Sequence, residues 1–250
     1  MVPALVLAGA PNSGPLKELS PAPYEALIDV HGRPLAAYVI EAVLATPVIS
    51  RVLVVGPPEL EKSFESERLI VLPPREELLE NLAAGLEALS GSSRVLVVTG
   101  DLALLTPSAV EEFLQLCNRG EADVYYPVVP RDAVEKAYPM IERTYVRLRE
   151  GTFTGGNIGL VDPAVLIRSL DRARDLVRLR KNPLRLALVI GPWVLCRFLL
   201  GRLTLREAEK KVSRILGLRG KVVIVHIPEI GVDVDKVGDL EAAKTLLRGK

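Results

Sequence analysis

Apolar residues fall along this chain in two rhythms. Unbroken runs of strand length, ALVLA (4–8), RVLVVG (51–56), LIVL (69–72), RVLVVTG (94–100) and VYYPVV (124–129), alternate with stretches whose apolar positions recur at helical spacing. The helical stretches are PLAAYVIEAVLA (34–45), EELLENLAAGLEAL (76–89) and PSAVEEFLQLC (107–117). Strands without polar alternation, separated by helices, predict a mainly parallel sheet covered on both faces. The expected fold is therefore a three-layer, doubly wound α/β sandwich of Rossmann-like type. Pro34 and the pair Thr106-Pro107 mark helix starts, because a proline there forfeits an N–H that has no intrahelical partner. In open sheets of this kind ligands bind beyond the carboxyl ends of the strands. The loops beginning near Ala8, Gly56, Leu72 and Thr99 thus form the expected functional edge.

Past residue 130 the alternation stops. MIERTYVRLREGTFTGGNIGLVD reads as extended, antiparallel segments with a glycine turn, followed by a long helical stretch over about 163–217, broken near Asn182-Pro183 and Gly191-Pro192. KVVIVHI (221–227) and GVDVD (231–235) return to strand, and VGDLEAAKTLL closes as helix. The stretch PLRLALVIGPWVLCRFLLG contains Arg185 and Arg197 and is split at Gly191-Pro192, so it falls short of the ~18–20 uninterrupted apolar residues of a membrane span. It reads as a buried helix pair or an oligomer contact, anchored by Trp193. The expectation is one domain over 1–250 carrying a helical insertion at about 163–219, which leaves a homo-oligomer through that insertion open.

Composition adds little until charge is resolved along the chain. Hydrophobic content of 49% with 25% charged residues is that of a globular protein with ample surface to bury. The two cysteines, Cys117 and Cys196, are too far apart for a paired motif, and MVPALVLAG lacks the basic flank of an export signal. A cytoplasmic protein is expected. Net charge is +1, yet residues 164–219 hold 14 Lys+Arg against 4 Asp+Glu, leaving 18 against 27 elsewhere. Such a basic segment grips an anionic ligand, binds RNA or an acidic membrane surface, or pairs with the acidic remainder of its own or a neighbouring subunit. An anionic ligand or an acidic subunit interface is preferred. Nucleic acid is disfavoured, because Trp193 and Phe198 are the only aromatic residues in the segment.

Three stretches carry candidate chemistry. The small residues Ala8, Gly9, Ala10, Asn12, Ser13 and Gly14 between the first strand and the next element allow main-chain amides to approach an anion, with Lys17 nearby to add charge. This loop matches neither common phosphate-binding glycine pattern. In VLVVTGDLALLTP a strand ends in Gly100-Asp101, placing a carboxylate at the sheet edge, where a magnesium ion shared with phosphate oxygens would be bound. In GVDVDKVGDL the alternation of a strand puts Asp233 and Asp235 on one face, within reach of one metal, while Asp239 reads as a cap or dipole partner of the helix that follows. His31 reads as a turn residue, His226 as a core or edge histidine, and Cys117 as packing.

Taken in order, these stretches resemble the MobA-like NTP transferases and, more widely, the nucleotidyltransferases and sugar-phosphate pyrophosphorylases built on a GT-A-type sheet. LVLAGAPNSG is similar to the nucleotide loop, ALIDVHGRPLAAYVIEAVL to the segment after it and ENLAAGLEAL to the base-side helix. VVTGDLALLTP resembles the metal-aspartate segment, TGGNIGLVDP the acceptor loop and GVDVDKVGDLEAAK the closing metal motif. RTYVRLREGTFTGGN and the helices after it resemble a small group of thermophile proteins in that superfamily. The resemblance implies Mg²⁺-dependent transfer of a nucleoside monophosphate from an NTP to a phosphorylated acceptor, with release of pyrophosphate. By position, Ala8, Gly9 and Ala10 would contact base and phosphates, Asn81 base or ribose, and Asp101 Mg²⁺, with Asp233 or Asp235 completing the site. Gly155, Gly156 and Asn157 would face the acceptor.

The departures from the family pattern are equally specific. A second glycine and a following arginine are usual in the opening motif, whereas this chain has Ala10 and no arginine before Arg33. A lysine usually precedes the ALxxVxGRPL stretch, and Glu25 stands there instead. Ala103 replaces the usual proline after the metal aspartate. An unscreened carboxylate beside triphosphate repels it by several kcal/mol, so Glu25 separates an active transferase from a module that binds nucleotides without turning them over.

Overall fold

The computed structural model describes residues 1–117, 122–179, 189 and 191–248; the side chains of 175–179 are also outside the description, and Arg185 and Asn182-Pro183 lie outside the described residues. Strand β1 (Val2–Leu7) is followed by a short hairpin, β2 (Asp29–Val30) and β3 (Arg33–Pro34), and helix α1 (Leu35–Leu44). Then come β4 (Ile49–Val55), β5 (Leu69–Leu72), α2 (Leu78–Ala88), β6 (Val95–Thr99) and α3 (Pro107–Cys117). The second half contains β7 (Val124–Pro130), α4 (Arg131–Ala137), β8 (Val146–Leu148), β9 (Gly151–Gly155), β10 (Ile158–Val161) and α5 (Pro163–Leu179). It closes with α6 (Pro192–Leu199), α7 (Leu205–Leu216), β11 (Gly220–Ile224) and α8 (Val237–Leu246).

The main sheet runs β5-β4-β1-β6-β10-β7-β9-β8, with β11 also on β7. Its first four strands are mutually parallel, β10 is antiparallel to β6 and β7, and β11 is parallel to β7. The expected α/β class and mainly parallel sheet are thus found, as a mixed sheet of nine strands with helices around it. The central strands are apolar throughout because both faces are covered: Ala4, Leu5 and Val6 of β1, and Val52 and Val54 of β4, are essentially inaccessible. Helix α1 buries eight residues against this layer. Thr106 Oγ1 accepts from Ala109 N at 3.2 Å, capping α3 as its sequence predicts. His31, at φ 54°, and Gly32, at φ 80°, turn β2 into β3.

Several expectations are corrected. GVDVD is not a strand: β11 ends at Ile224, and a 3-10 turn over Pro228–Gly231 leads into an unpaired extended segment. Among the described residues no strand pairs with it, so β-like alternation there yields no ladder, only the isolated bond from Val234 N to Asp101 O. The irregular stretch after residue 130 begins with α4, which Pro130 starts and an Arg131–Glu135 pair spans at 2.7 Å. Trp193 is not a buried anchor: it is 70% exposed on the first turn of α6, a helix with no residue recorded as buried. His226 lies just beyond β11 and is exposed rather than part of a core. Among the described residues no helix is long and apolar enough to cross a membrane.

Candidate active site

The sheet brings three strand ends together beneath the opening loop. A Cβ on Gly56, after β4, would lie 2.9 Å from Ala8 Cβ, and one on Gly100, after β6, would lie 3.1 Å from Ala8 Cα. Only backbone fits at both places. Ala8 N donates to Val55 O at 2.8 Å and Gly100 N to Leu7 O at 2.8 Å, tying the loop root to the strands on either side. Beyond it, Gly9 and Ala10 leave their amides without intramolecular partners among the described residues. The outer part of the loop is closed from within: Asn12 is buried and its Nδ2 donates to the carbonyls of Ser20 and Ala22, both at 3.0 Å. Ser13 and Lys17 are exposed on the same turn, where Ser13 N donates to Pro11 O and Lys17 N to Gly14 O.

Asn81 enters from α2 but spends its amide locally. Its Oδ1 accepts from Arg75 N at 2.5 Å, its Nδ2 donates to Arg75 O at 3.4 Å, and the side chain is buried under Gly9. A Cβ on Gly9 would meet Asn81 Nδ2 and Pro74 Cβ at 2.8 Å, so glycine is required there by close approach. The residues on either side of this contact line a cleft of about 610 Å³ between Gly9, Pro11, Tyr24, Pro74, Arg75, Glu76 and Glu80.

On the other side of the loop root, Asp101, Asp233 and Asp235 each present a carboxylate oxygen within 4.8 Å of the others. Val234 N donates to Asp101 O at 3.1 Å, so main chain as well as side chain joins the two distant segments. Asp239, in the first turn of α8, reaches back to the helix start, its Oδ2 accepting from Asp235 N at 3.3 Å and from the N-cap residue Lys236 N at 3.0 Å. Burial first, then the Asp233 carboxylate, pushes the Asp101 carboxyl up to about 7, against a hydrogen bond from Thr99 that lowers it. Burial and Asp233 raise Asp235 as well. Arg143 Nη1 forms an ion pair with Asp233 Oδ1 that lacks hydrogen-bond alignment.

Glu25 belongs to this neighbourhood. Its N–H donates to Ala10 O at 3.1 Å, and a Cβ on Gly14 would lie 3.7 Å from its Oε1. A pocket of about 30 Å³, room for little more than one water, lies between Glu25, Ala10, Gly100 and Asp101. Burial, then the charge of Asp235, raises the Glu25 carboxyl. Opposite, Gly155 and Gly156 are pressed by neighbours: a Cβ on Gly156 would lie 2.7 Å from Ile230 Cγ2, and one on Gly155 would collide with the Tyr126 hydroxyl. Asn157 N donates to Ile230 O, and Thr99 N to Asn157 O, each at 3.0 Å. Arg143, Tyr145 and Tyr126 were not singled out from sequence; the only signal for the first two was their place in RTYVRLREGTFTGGN.

The sequence model of the MobA-like NTP transferase domain matches residues 23–181. The chain belongs to that family. Among solved structures, this MobA-like protein is similar to a hypothetical transferase from Thermus thermophilus, at 42% identity and TM-score 0.84, over 96% of this chain and 100% of that one. It shares its fold with CMP:2-keto-3-deoxy-manno-octonic acid synthetase complexed with CTP, at 16% identity and TM-score 0.62, over 99% and 98% of the two chains. It likewise shares its fold with 2-C-methyl-D-erythritol 4-phosphate cytidylyltransferase from Thermus thermophilus, at 18% identity and TM-score 0.57, over 99% and 100%. No curated protein matches the chain.

Proposed function

We propose that this protein transfers a nucleoside monophosphate from an NTP to an anionic small-molecule acceptor, releasing pyrophosphate, with a divalent cation bound by Asp101, Asp233 and Asp235. The observation that carries the reading is the meeting of these carboxylates, from segments more than 130 residues apart, beside a loop root with two free amides. Their hard oxygen donors and mutual repulsion, expressed in the raised Asp101 and Asp235, fit Mg²⁺. When bound, the cation supplies charge neutralisation to polyphosphate oxygens.

The chain's own groups do the positioning. Gly9 and Ala10 offer amides to phosphate oxygens, with Asn12, Ser13, Gly14 and Gly100 shaping the approach and Lys17 reaching in from its exposed turn. The cleft beside Gly9 takes the nucleoside, its wall held by Asn81. Gly155, Gly156 and Asn157 border the acceptor, and the helical segment at about 163–219 is an insertion in one domain. A cytoplasmic setting suits these substrates.

The second reading, a nucleotide-binding module with weakened catalysis, is favoured by Glu25, whose carboxylate sits against the loop near Gly14. Thermal-shift titration with each NTP, with and without Mg²⁺, tests binding, since a ligand held by the folded state raises apparent stability. Metal-dependent stabilisation by one NTP with pyrophosphate release supports the transferase, and Glu25→Lys should then raise turnover. Binding without pyrophosphate release from either form would leave the module.

A further inference from the structure

We infer that Arg143 is the built-in counter-ion of the carboxylate triad, and that it leaves Asp233 when a divalent cation binds in order to grip an oxyanion of the acceptor. The inference rests on the transferase reading above. Arg143 and Asp233 are 13% and 10% exposed, so their ion pair is shielded from solvent. Yet the guanidinium is incompletely used: Arg143 Nε is buried without a hydrogen bond. So are the Tyr145 hydroxyl and Asn157 Nδ2. Buried donors left unmatched are costly and uncommon, and they ask for a partner.

These three groups are donors, whereas Asp233 Oδ1, which also lacks an aligned hydrogen bond, is an acceptor; Arg143 and the Glu135-paired Arg131 are the cations beside Tyr145. Arg131 lies over the Tyr145 ring, 5.4 Å from its centroid. Asn157 is fixed by main-chain bonds to Ile230, three residues before Asp233, and to Thr99, two before Asp101, so its backbone joins the two segments that carry the triad. Donors with fixed positive charge select an oxyanion, a phosphate or a carboxylate, over a neutral group. An arginine keeps its proton under all ordinary conditions and presents a fork suited to two acceptors. With a metal on Asp233, one carboxylate would face two cations at once. Arg143 is the mobile one of the two, and its freed fork then points the acceptor's anionic group toward the site. Cation binding and anion binding are therefore coupled through a single side chain.

Mn²⁺ binding to the full chain without nucleotide, read by electron paramagnetic resonance, is the direct test. Arg143→Met should bind Mn²⁺ at least about tenfold more tightly than wild type, since a shielded competing charge is gone. Inorganic sulfate, titrated calorimetrically, should bind wild type more tightly with saturating Mg²⁺ than without, and Arg143→Met should lose that gain. If Arg143→Met does not fold, Arg143→Gln carries the same two comparisons, while Tyr145→Phe and Asn157→Ala should weaken sulfate binding with and without Mg²⁺ and keep wild-type Mn²⁺ affinity. Unchanged Mn²⁺ affinity in the Arg143 variant, or a sulfate gain that survives it, overturns the inference. A wild-type protein that no NTP stabilises overturns the transferase reading instead, and leaves the Mn²⁺ comparison standing.

Discussion

The two walls of the site leave different kinds of group open. On the loop side, Asn12 Nδ2 and Asn81 are bonded to backbone and strand-end glycines pack the loop root against the sheet, while the Gly9 and Ala10 amides and the buried Asn12 Oδ1 have no partner among the described residues. On the other side, the open groups are side-chain donors of Arg143, Tyr145 and Asn157. One wall offers mostly main chain and the other side chains. Under the transferase proposal, that difference suits a nucleotide met through main chain and an acceptor met through side chains. The distant helices extend the contrast, since neither α6 nor α7 buries a residue whereas α1 buries eight.

The comparison breaks first at the triad. Asp101→Asn should reduce NTP-dependent pyrophosphate release by about 10³-fold, the several kcal/mol that metal-borne charge stabilisation supplies. The same variant should melt higher than wild type at pH 8 without metal, because it removes a buried charge; a lower melting temperature there would mean the carboxylate is needed by the fold. On the loop side, Asn81→Ala should cost about 2 kcal/mol of stability by denaturant titration, leaving Arg75 N without its side-chain acceptor. If the loop were completed by ligand instead, saturating nucleotide would restore most of that loss.

Acidity gives the smallest effect. Asp101 titrates near 7 in the folded chain and near 3.8 unfolded, so between these pH values the folded state binds more protons. Metal-free stability therefore falls as pH rises through that window and levels off above about 7. Because a ligating carboxylate must be deprotonated, Mn²⁺ affinity should weaken by up to about tenfold per pH unit below 7. Calorimetry at pH 6, 7 and 8 checks both signs, and an affinity flat across this range would take Asp101 out of the metal site.

Much of this architecture is legible in the chain. The runs at 51–56, 69–72 and 94–100 match β4, β5 and β6 closely because buried parallel strands advertise themselves as unbroken apolar segments. Asp101, Asp233 and Asp235 were identifiable because each follows a run that delivers it to one edge, although Asp233 and Asp235 arrive on an extended segment rather than a strand. What local pattern does not carry is long-range pairing. Arg143 sits in a polar stretch without periodicity, and only the fold reveals Asp233 as its partner. Asn81 was readable as near the nucleotide, but not as a residue whose amide is taken up by Arg75. Trp193 shows the opposite error, where a large apolar side chain suggests burial that the tertiary arrangement does not provide.

The seating of Ala8 between Gly56 and Gly100 has a mechanical consequence. With main chain close on both flanks, the root of the loop leaves little room to move apart from the sheet. Whatever clearance the proposed reaction needs must then come from the facing side, where side chains swing more cheaply than strands.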